Sequence, residues 1–377
     1  MLKELINNMK IGIITLSASY NCGSMLQSYA LKEILKKYGD VEIINFSSEA
    51  SHLYYDIVPK SFIKKIRMEC QRMGIIKELK RETQAYVAFQ EKFLEIKGKE
   101  HFAKDLSEIS DRYDVVVAGS DQIWNVCMGD FDEAFFCNWT NVKKIAYAPS
   151  LGGHDIRESA DSQRFISAIK KFNAVSVRET VGKKCLDDIL KSDIKKVLDP
   201  TLLFDNKKWK DIAGTSKIKG DYIFFYSWAY CYEELRDIVS NRAKETGLPV
   251  YVIDAHKWRN HSYKEDDFIL SEEAGPLAFL NLMANAKECF VESFHGMLFA
   301  YMFKKNFWLL DTHKTYDELD ARLKELVELV EAKNRIITKF NKTSIDFNQK
   351  FSYKKNDYLE SMQNVSWNYL NKAFEQI

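Results

Sequence analysis

Charge of one sign is missing from this chain of 377 residues: 55 lysines and arginines face 54 aspartates and glutamates, a net charge of +1. That balance argues against a dedicated nucleic-acid binder, which concentrates basic residues. Paired cysteines are missing too. The seven present (22, 70, 127, 137, 185, 231 and 289) include no C-x-x-C, and an odd, scattered set fits a reducing cytoplasm. No stretch approaches the ~20 apolar residues of a membrane span. Met1 to Lys10 mixes polar and apolar residues and lacks the apolar core of a secretory leader. The expected location is the cytoplasm. His52, His101, His256, His261 and His313 have no partner at metal-ligand spacing, so neither a metal nor a cofactor is expected. Repeats and low-complexity runs are absent, and 46% hydrophobic with 29% charged residues describes an ordinary soluble globular protein.

What is present is an alternation of strand and helix patterns in a chain longer than one hydrophobic core usually serves. Ile11 to Leu16 reads as a strand, a helix follows with Leu26, Ala30, Ile34 and Leu35 on its buried stripe, and Val41 to Phe46 is the next strand. Further strands are expected at Tyr113–Ala118, Lys144–Ala148, Ala174–Val177 and Lys195–Leu198, with helices at Ile156–Phe172 and Val181–Leu190. The pattern repeats after Phe204, with strands at Tyr222–Tyr226, Val250–Ile253, Cys289–Glu292 and Phe307–Leu310. Helices at Tyr232–Thr246, Pro276–Ala286, Ser293–Phe303 and Tyr316–Val330 separate or follow them. A last helix, Asp357–Phe374, presents Leu359, Met362, Val365, Tyr369 and Ala373 as its face. This predicts an α/β protein of two Rossmann-like, doubly wound domains facing a cleft, 1–203 and 204–377, the second ending in the C-terminal helix.

A basic helical insertion at about 59–97 interrupts the first domain. Over 60–81, Ile63, Ile66, Cys70, Met73 and Ile76 fall on one face, and eight lysines and arginines oppose two glutamates on the other. Such a helix either docks on its own protein with a solvated charged face or lies on an anionic membrane surface.

Six places are candidates for carrying chemistry. The run Val115–Val117 ends in Gly119-Ser120-Asp121-Gln122-Ile123-Trp124-Asn125, so a buried parallel strand delivers a hydroxyl, a carboxylate and an amide to the carboxyl edge of its sheet. The turn Tyr20-Asn21-Cys22-Gly23-Ser24 opens a helix whose first amides can face an anion, although a single glycine is no dinucleotide fingerprint. Ser293-Phe294-His295-Gly296 starts another helix straight after a strand. There Gly296 permits close approach of a ligand, the helix end favours an anion and His295 can hold a proton. Arg178 leaves a short strand, placed either to clamp a carboxylate or to pair with Glu179 or Asp199. Asp199 reads mainly as a turn or cap residue. His154, after two glycines in a loop, is either a ligand contact or a simple loop histidine.

Taken in order, Tyr20–Leu31, Gly119–Asn125, Tyr147–Gly152, Ser176–Glu179, Asp199–Leu203 and Ser293–Gly296 resemble the polysaccharide pyruvyl transferases. The resemblance implies two Rossmann-like domains like those of the GT-B glycosyltransferases, with the active site between them. It implies transfer of a pyruvyl group from phosphoenolpyruvate to two hydroxyls of one sugar, giving a cyclic ketal. The sugar would belong to a cell-surface polysaccharide or its lipid-linked precursor, which implies a peripheral position at the inner face of the membrane. His295, Asp121 and His154 would be catalytic, while Arg178, Asn21, Gly23, Ser120, Gln122, Ser293 and Gly296 would bind substrate. Many members carry arginine two residues before the motif histidine, where this chain has Ser293.

Two other functions fit the same residues. A GT-B-type glycosyltransferase with a nucleotide-sugar donor shares the architecture, and Glu292 is its one candidate for a ribose-binding carboxylate. A non-catalytic glycan-binding protein also fits the fold, although His295, Arg178 and Asp121 together speak against it.

Overall fold

The structure, a computed structural model, describes residues 9–55, 76–228, 230, 232–258, 261–311, 318–338, 341 and 344–377. Residues 60–75 of the expected basic helix 60–81, with Cys70, and also His313 and Cys231, lie outside the described residues. The described part divides into two compact units. One holds the residues of 1–56, 89–204 and 357–377, the other those of 57–88 and 205–356.

The first unit is built on a six-stranded parallel sheet. Its strands are β1 (Lys10–Ile14), β2 (Asp40–Ile43), β3 (Val115–Asp121), β4 (Lys143–Pro149), β5 (Ala174–Val177) and β6 (Lys195–Lys196), in the order β2-β1-β3-β4-β5-β6. β3 lies inside the sheet, and all seven of its residues are buried. That is why it reads as a continuous β-branched run rather than an alternation. Ile11 aligns with Val41 of β2 and Val115 of β3. Strand order reverses between β1 and β3, which makes their carboxyl ends a topological switch point, where open α/β sheets leave a crevice.

The second unit repeats the scheme with β7 (Ile223–Tyr226), β8 (Val250–Val252), β9 (Ile269–Leu270), β10 (Glu288–Val291), β11 (Asn306–Asp311) and β12 (Ile336–Thr338). All pairings are again parallel, in the order β12-β11-β10-β7-β8-β9, and the switch point falls between β7 and β10.

Two helices belong elsewhere than chain order suggests. The helix Asp357–Glu375 packs on the first unit. Ser366 Oγ accepts the Leu198 N–H at 2.9 Å, the Tyr369 hydroxyl donates to Ala146 O at 2.8 Å, and Phe374 stacks on Tyr38 with centroids 4.3 Å apart. Its buried residues are Ser366, Leu370, Ala373 and Phe374, so of the expected face only Ala373 is fully covered. The helix Ile76–Phe89 packs on the second unit instead. Glu82 accepts the His256 N–H at 3.1 Å and pairs with its ring, and the Arg81 guanidinium donates to Ser271 O at 3.0 Å. An apolar stripe says that a helix is covered, not which sheet covers it, so assigning both helices by chain order misplaces them.

Among the described residues no helix is long and apolar enough to cross a membrane.

Candidate active-site residues

In the first unit the site begins with backbone geometry. Gly119 has φ +141, and a Cβ there would lie 1.9 Å from Tyr147 O, so no side chain fits where β3 passes β4. Asp121 follows with φ 72, a left-handed conformation that turns its carboxylate out of the strand. The turn is then tied to the end of β4. Ser150 N–H donates to Asp121 O at 2.7 Å, and Trp124 N–H donates to Ser150 O at 3.2 Å. The Asn125 amide donates to Gln122 Oε1 at 2.9 Å, and it occupies the space that a Cβ on Gly152 would need. The glycines, Trp124 and Asn125 therefore form one packed unit.

The Asp121 carboxylate accepts the Ser24 hydroxyl at 2.7 Å and the Gln122 N–H at 2.9 Å. The Arg178 Nη1 lies 3.9 Å from it. The same guanidinium pairs with Asp199 at 2.9 Å and Glu179 at 3.1 Å, and the Arg178 side chain is 4% exposed. Burial opposes its charge, but Glu179, Asp199 and Asp121 outweigh that and raise its pKa. The structure thus shows both pairings that the structural reading of Arg178 names, with Asp121 as a third carboxylate. Asp199 also accepts the Thr201 N–H, as a turn residue does.

The other expected residues do local work. Asn21 Oδ1 accepts the N–H groups of Gly23 at 2.9 Å and Ser24 at 3.3 Å, so these two amides already have an acceptor within the turn. The Ser120 side chain is buried and donates to Ala148 O at 3.0 Å. His154 stands exposed on the loop after β4, its N–H on Leu151 O.

In the second unit the Ser293 Oγ accepts the Gly296 N–H at 3.1 Å and so caps the helix Phe294–Met302. A Cβ on Gly296 would come within 2.8 Å of that oxygen. His295 sits in the first turn, half-buried, edge-on to the Phe294 ring. Around the same switch point stand groups that the motifs do not contain. Glu292, just past β10, accepts the Trp228 N–H at 3.0 Å, and burial raises the pKa of its carboxyl. The Lys257 ammonium bonds Asp254 at 2.9 Å and the Tyr226 hydroxyl at 3.1 Å, 4.2 Å above the Tyr226 ring and 4.1 Å above that of Trp228. Its side chain is 1% exposed. Lys257 and Trp228 follow short strands without any glycine or motif signal. Only the sheet order, which makes β7 the neighbour of both β8 and β10, reveals them.

The sequence profile of the polysaccharide pyruvyl transferases matches residues 21–314. No curated protein matches the chain. Among solved structures, the UDP-GlcNAc 2-epimerase of Methanocaldococcus jannaschii in complex with UDP-GlcNAc and UDP is 14% identical with a TM-score of 0.55, over 96% of this chain and 100% of that one. A second structure of that enzyme gives 13% and 0.51 over the same shares. UDP-GlcNAc 2-epimerase from Neisseria meningitidis gives 9% and 0.49 over 97% and 100%. Likeness at such identity concerns the fold, a GT-B-like pair of doubly wound α/β units. The profile spans most of the chain and includes the turns that hold Asp121, Arg178 and His295, and the chain belongs to the polysaccharide pyruvyl transferase family.

Proposed function

We propose that the protein transfers the pyruvyl group of phosphoenolpyruvate to a sugar of a cell-surface polysaccharide or its precursor, closing a cyclic ketal and releasing phosphate. The observation that carries the reading is the placement of the family's motifs. Asp121 and Ser24 lie at the switch point of one sheet, and Ser293 to Gly296 at that of the other. These are the positions at which α/β sheets take ligands.

The chemistry asks for three things. The enol methylene of the donor must gain a proton, the carbon bearing phosphate must be stabilised as it becomes electron-poor, and two sugar hydroxyls must lose protons. One of those protons balances the new methyl group and the other leaves with phosphate. His295 at a helix start is the candidate acid and phosphate partner. Asp121, holding the Ser24 hydroxyl, is the candidate base, with His154 as the mobile alternative. Arg178 is enclosed by protein carboxylates, so in this proposal it holds Asp121 in place rather than meeting the donor directly.

A thermal-shift comparison tests the donor. Phosphoenolpyruvate should raise the melting temperature at millimolar concentration. A shift with UDP or GDP and none with phosphoenolpyruvate would support the nucleotide-sugar alternative instead.

A lipid-linked acceptor would bring the basic segment 60–81 to an anionic membrane surface. Flotation with anionic liposomes should then be salt-sensitive and lost when Lys64, Lys65 and Arg67 become Glu. No flotation of the wild type at low salt would remove this element of the proposal.

A further inference from the structure

A pocket that belongs to none of the motifs opens at the amino edge of the second sheet, where the segment 349–356 meets the ends of the helices Phe294–Met302 and Ala321–Leu329. The segment is pinned twice. The Tyr353 hydroxyl donates to Lys305 O at 2.6 Å, and the Asn356 amide donates to Leu329 O at 2.6 Å. The space left beside it is about 180 Å³, many times the roughly 10–15 Å³ that one water needs. His295 starts and Tyr301 ends one helix, so the pocket stands about 9 Å along that axis from the candidate active-site histidine.

Charge in and behind the wall favours an anion. Lys350 and Lys354 stand exposed in it with no ion pair among the described residues, against one unpaired carboxylate, Glu331. Phe351, also in the wall, packs on the Arg335 guanidinium, 5.4 Å from its ring centroid. Arg335 is 0% exposed, and its Nε and Nη2 have no hydrogen-bond partner among the described residues. Glu288, the carboxylate whose charge acts on Arg335, is already held by Arg242 at 2.7 and 2.9 Å. A buried cation without a counter-ion of its own draws an anion towards it. The remaining groups suit a sugar. Asn334, Gln349 and Ser352 make no side-chain hydrogen bond among the described residues, and they offer donors and acceptors to hydroxyls. Tyr301, Phe351 and Tyr353 cluster with ring centroids 4.7, 5.5 and 6.3 Å apart and give C–H groups an apolar wall. Glu331 repels a doubly charged phosphate more than a single carboxylate, and its oxygens accept from hydroxyls.

We propose that this pocket is a second saccharide site for a sugar ring that carries a carboxylate, with Lys350 and Lys354 on the carboxylate and the aromatic wall against the ring. A pyruvyl ketal and a uronic acid share that chemistry, and only the link to the ketal rests on the pyruvyl-transfer reading. The test is saturation-transfer NMR with calorimetry on the full chain. Its probes are methyl glucuronide, a methyl galactoside carrying a pyruvyl ketal, plain methyl galactoside and inorganic phosphate. At least one acidic sugar should bind the wild type, and the neutral galactoside should bind more weakly. The double variant Lys350→Gln, Lys354→Gln should lose about tenfold in affinity for the acidic sugar, with the melting temperature kept. No sugar binding (a pocket for water alone), equal binding of the neutral galactoside, or unchanged affinity in the double variant would overturn it. So would phosphate binding that depends on the same lysines and exceeds that of the sugars. Binding of the ketal ties the site to the product, whereas binding of the glucuronide alone upholds the site and removes that link. With monosaccharide acceptors the double variant should turn over like the wild type. A loss of turnover there would make the pocket part of the transfer site and overturn the claim of a second one. Lysine-dependent binding of an acidic sugar, without phosphoenolpyruvate turnover by the wild type, would uphold the site and remove the pyruvyl reading.

Discussion

One guanidinium among three carboxylates decides the behaviour of the first unit's edge. Removing Arg178 leaves Asp199, Glu179 and Asp121 buried and uncompensated, and loss of one partner from a buried ion pair costs about 3–5 kcal/mol. Arg178→Ala should therefore lower the denaturation midpoint as well as activity, whereas Arg157→Ala, which breaks exposed pairs with Asp155 and Asp188, should change stability by about 1 kcal/mol or less. Equal midpoints for wild type and Arg178→Ala would refute the structural part of its role. Cysteine reactivity gives a second expectation. Burial pushes the thiols of Cys137 and Cys289 up to about 12, and Cys127 is exposed. Thiol labelling of the native protein, read by peptide mass, should modify Cys127 well before Cys137 or Cys289. Both pairings of Arg178 were legible, because Glu179 adjoins it and Asp199 ends the next strand. The closeness of Asp121 was not, since it depends on β3, β4 and β5 being neighbours in the sheet.

At the scale of elements, the strand-to-turn junctions hold the candidate site in shape. Gly119→Ala forces a Cβ against a backbone carbonyl at positive φ and should destabilise by on the order of 3 kcal/mol or more. Urea midpoints check this. Glu292 makes a pH expectation. Burial raises its folded pKa, so the folded state holds the proton more tightly than the unfolded chain, and stability falls as pH rises through the folded value. Glu292→Gln stays neutral and should gain on the wild type as pH rises above the ordinary glutamate value of about 4. A difference that does not change with pH would contradict the raised pKa. The long strands were readable because a buried parallel strand needs a run of apolar residues. β9 and β12, two and three residues long, give no such signal. The expected helix Ile156–Phe172 is a 3-10 turn and the separate helix Ser162–Ile169, since Asp155 caps a first turn that ends at extended Ser159.

For the whole molecule, each unit depends on a segment from the other end of the chain's order. Deleting residues from Asp357 onward removes Leu370, Ala373 and Phe374 from the first unit and uncovers Tyr38. The truncated protein should melt earlier, with the loss confined to peptides of the first unit in hydrogen exchange. That exchange of segments follows from packing and was invisible to a reading by chain order, whereas the two α/β repeats and the family motifs were plain in the sequence. Central to the function is the identity of the reaction, and it is tested most directly by incubating the purified protein with phosphoenolpyruvate and a panel of galactose, glucose, mannose and N-acetylated acceptors. Phosphate release should accompany the appearance of one acceptor carrying a ketal-linked pyruvyl group, and His295→Ala should abolish both. Transfer from a nucleotide sugar, with phosphoenolpyruvate left intact by every acceptor, would contradict it.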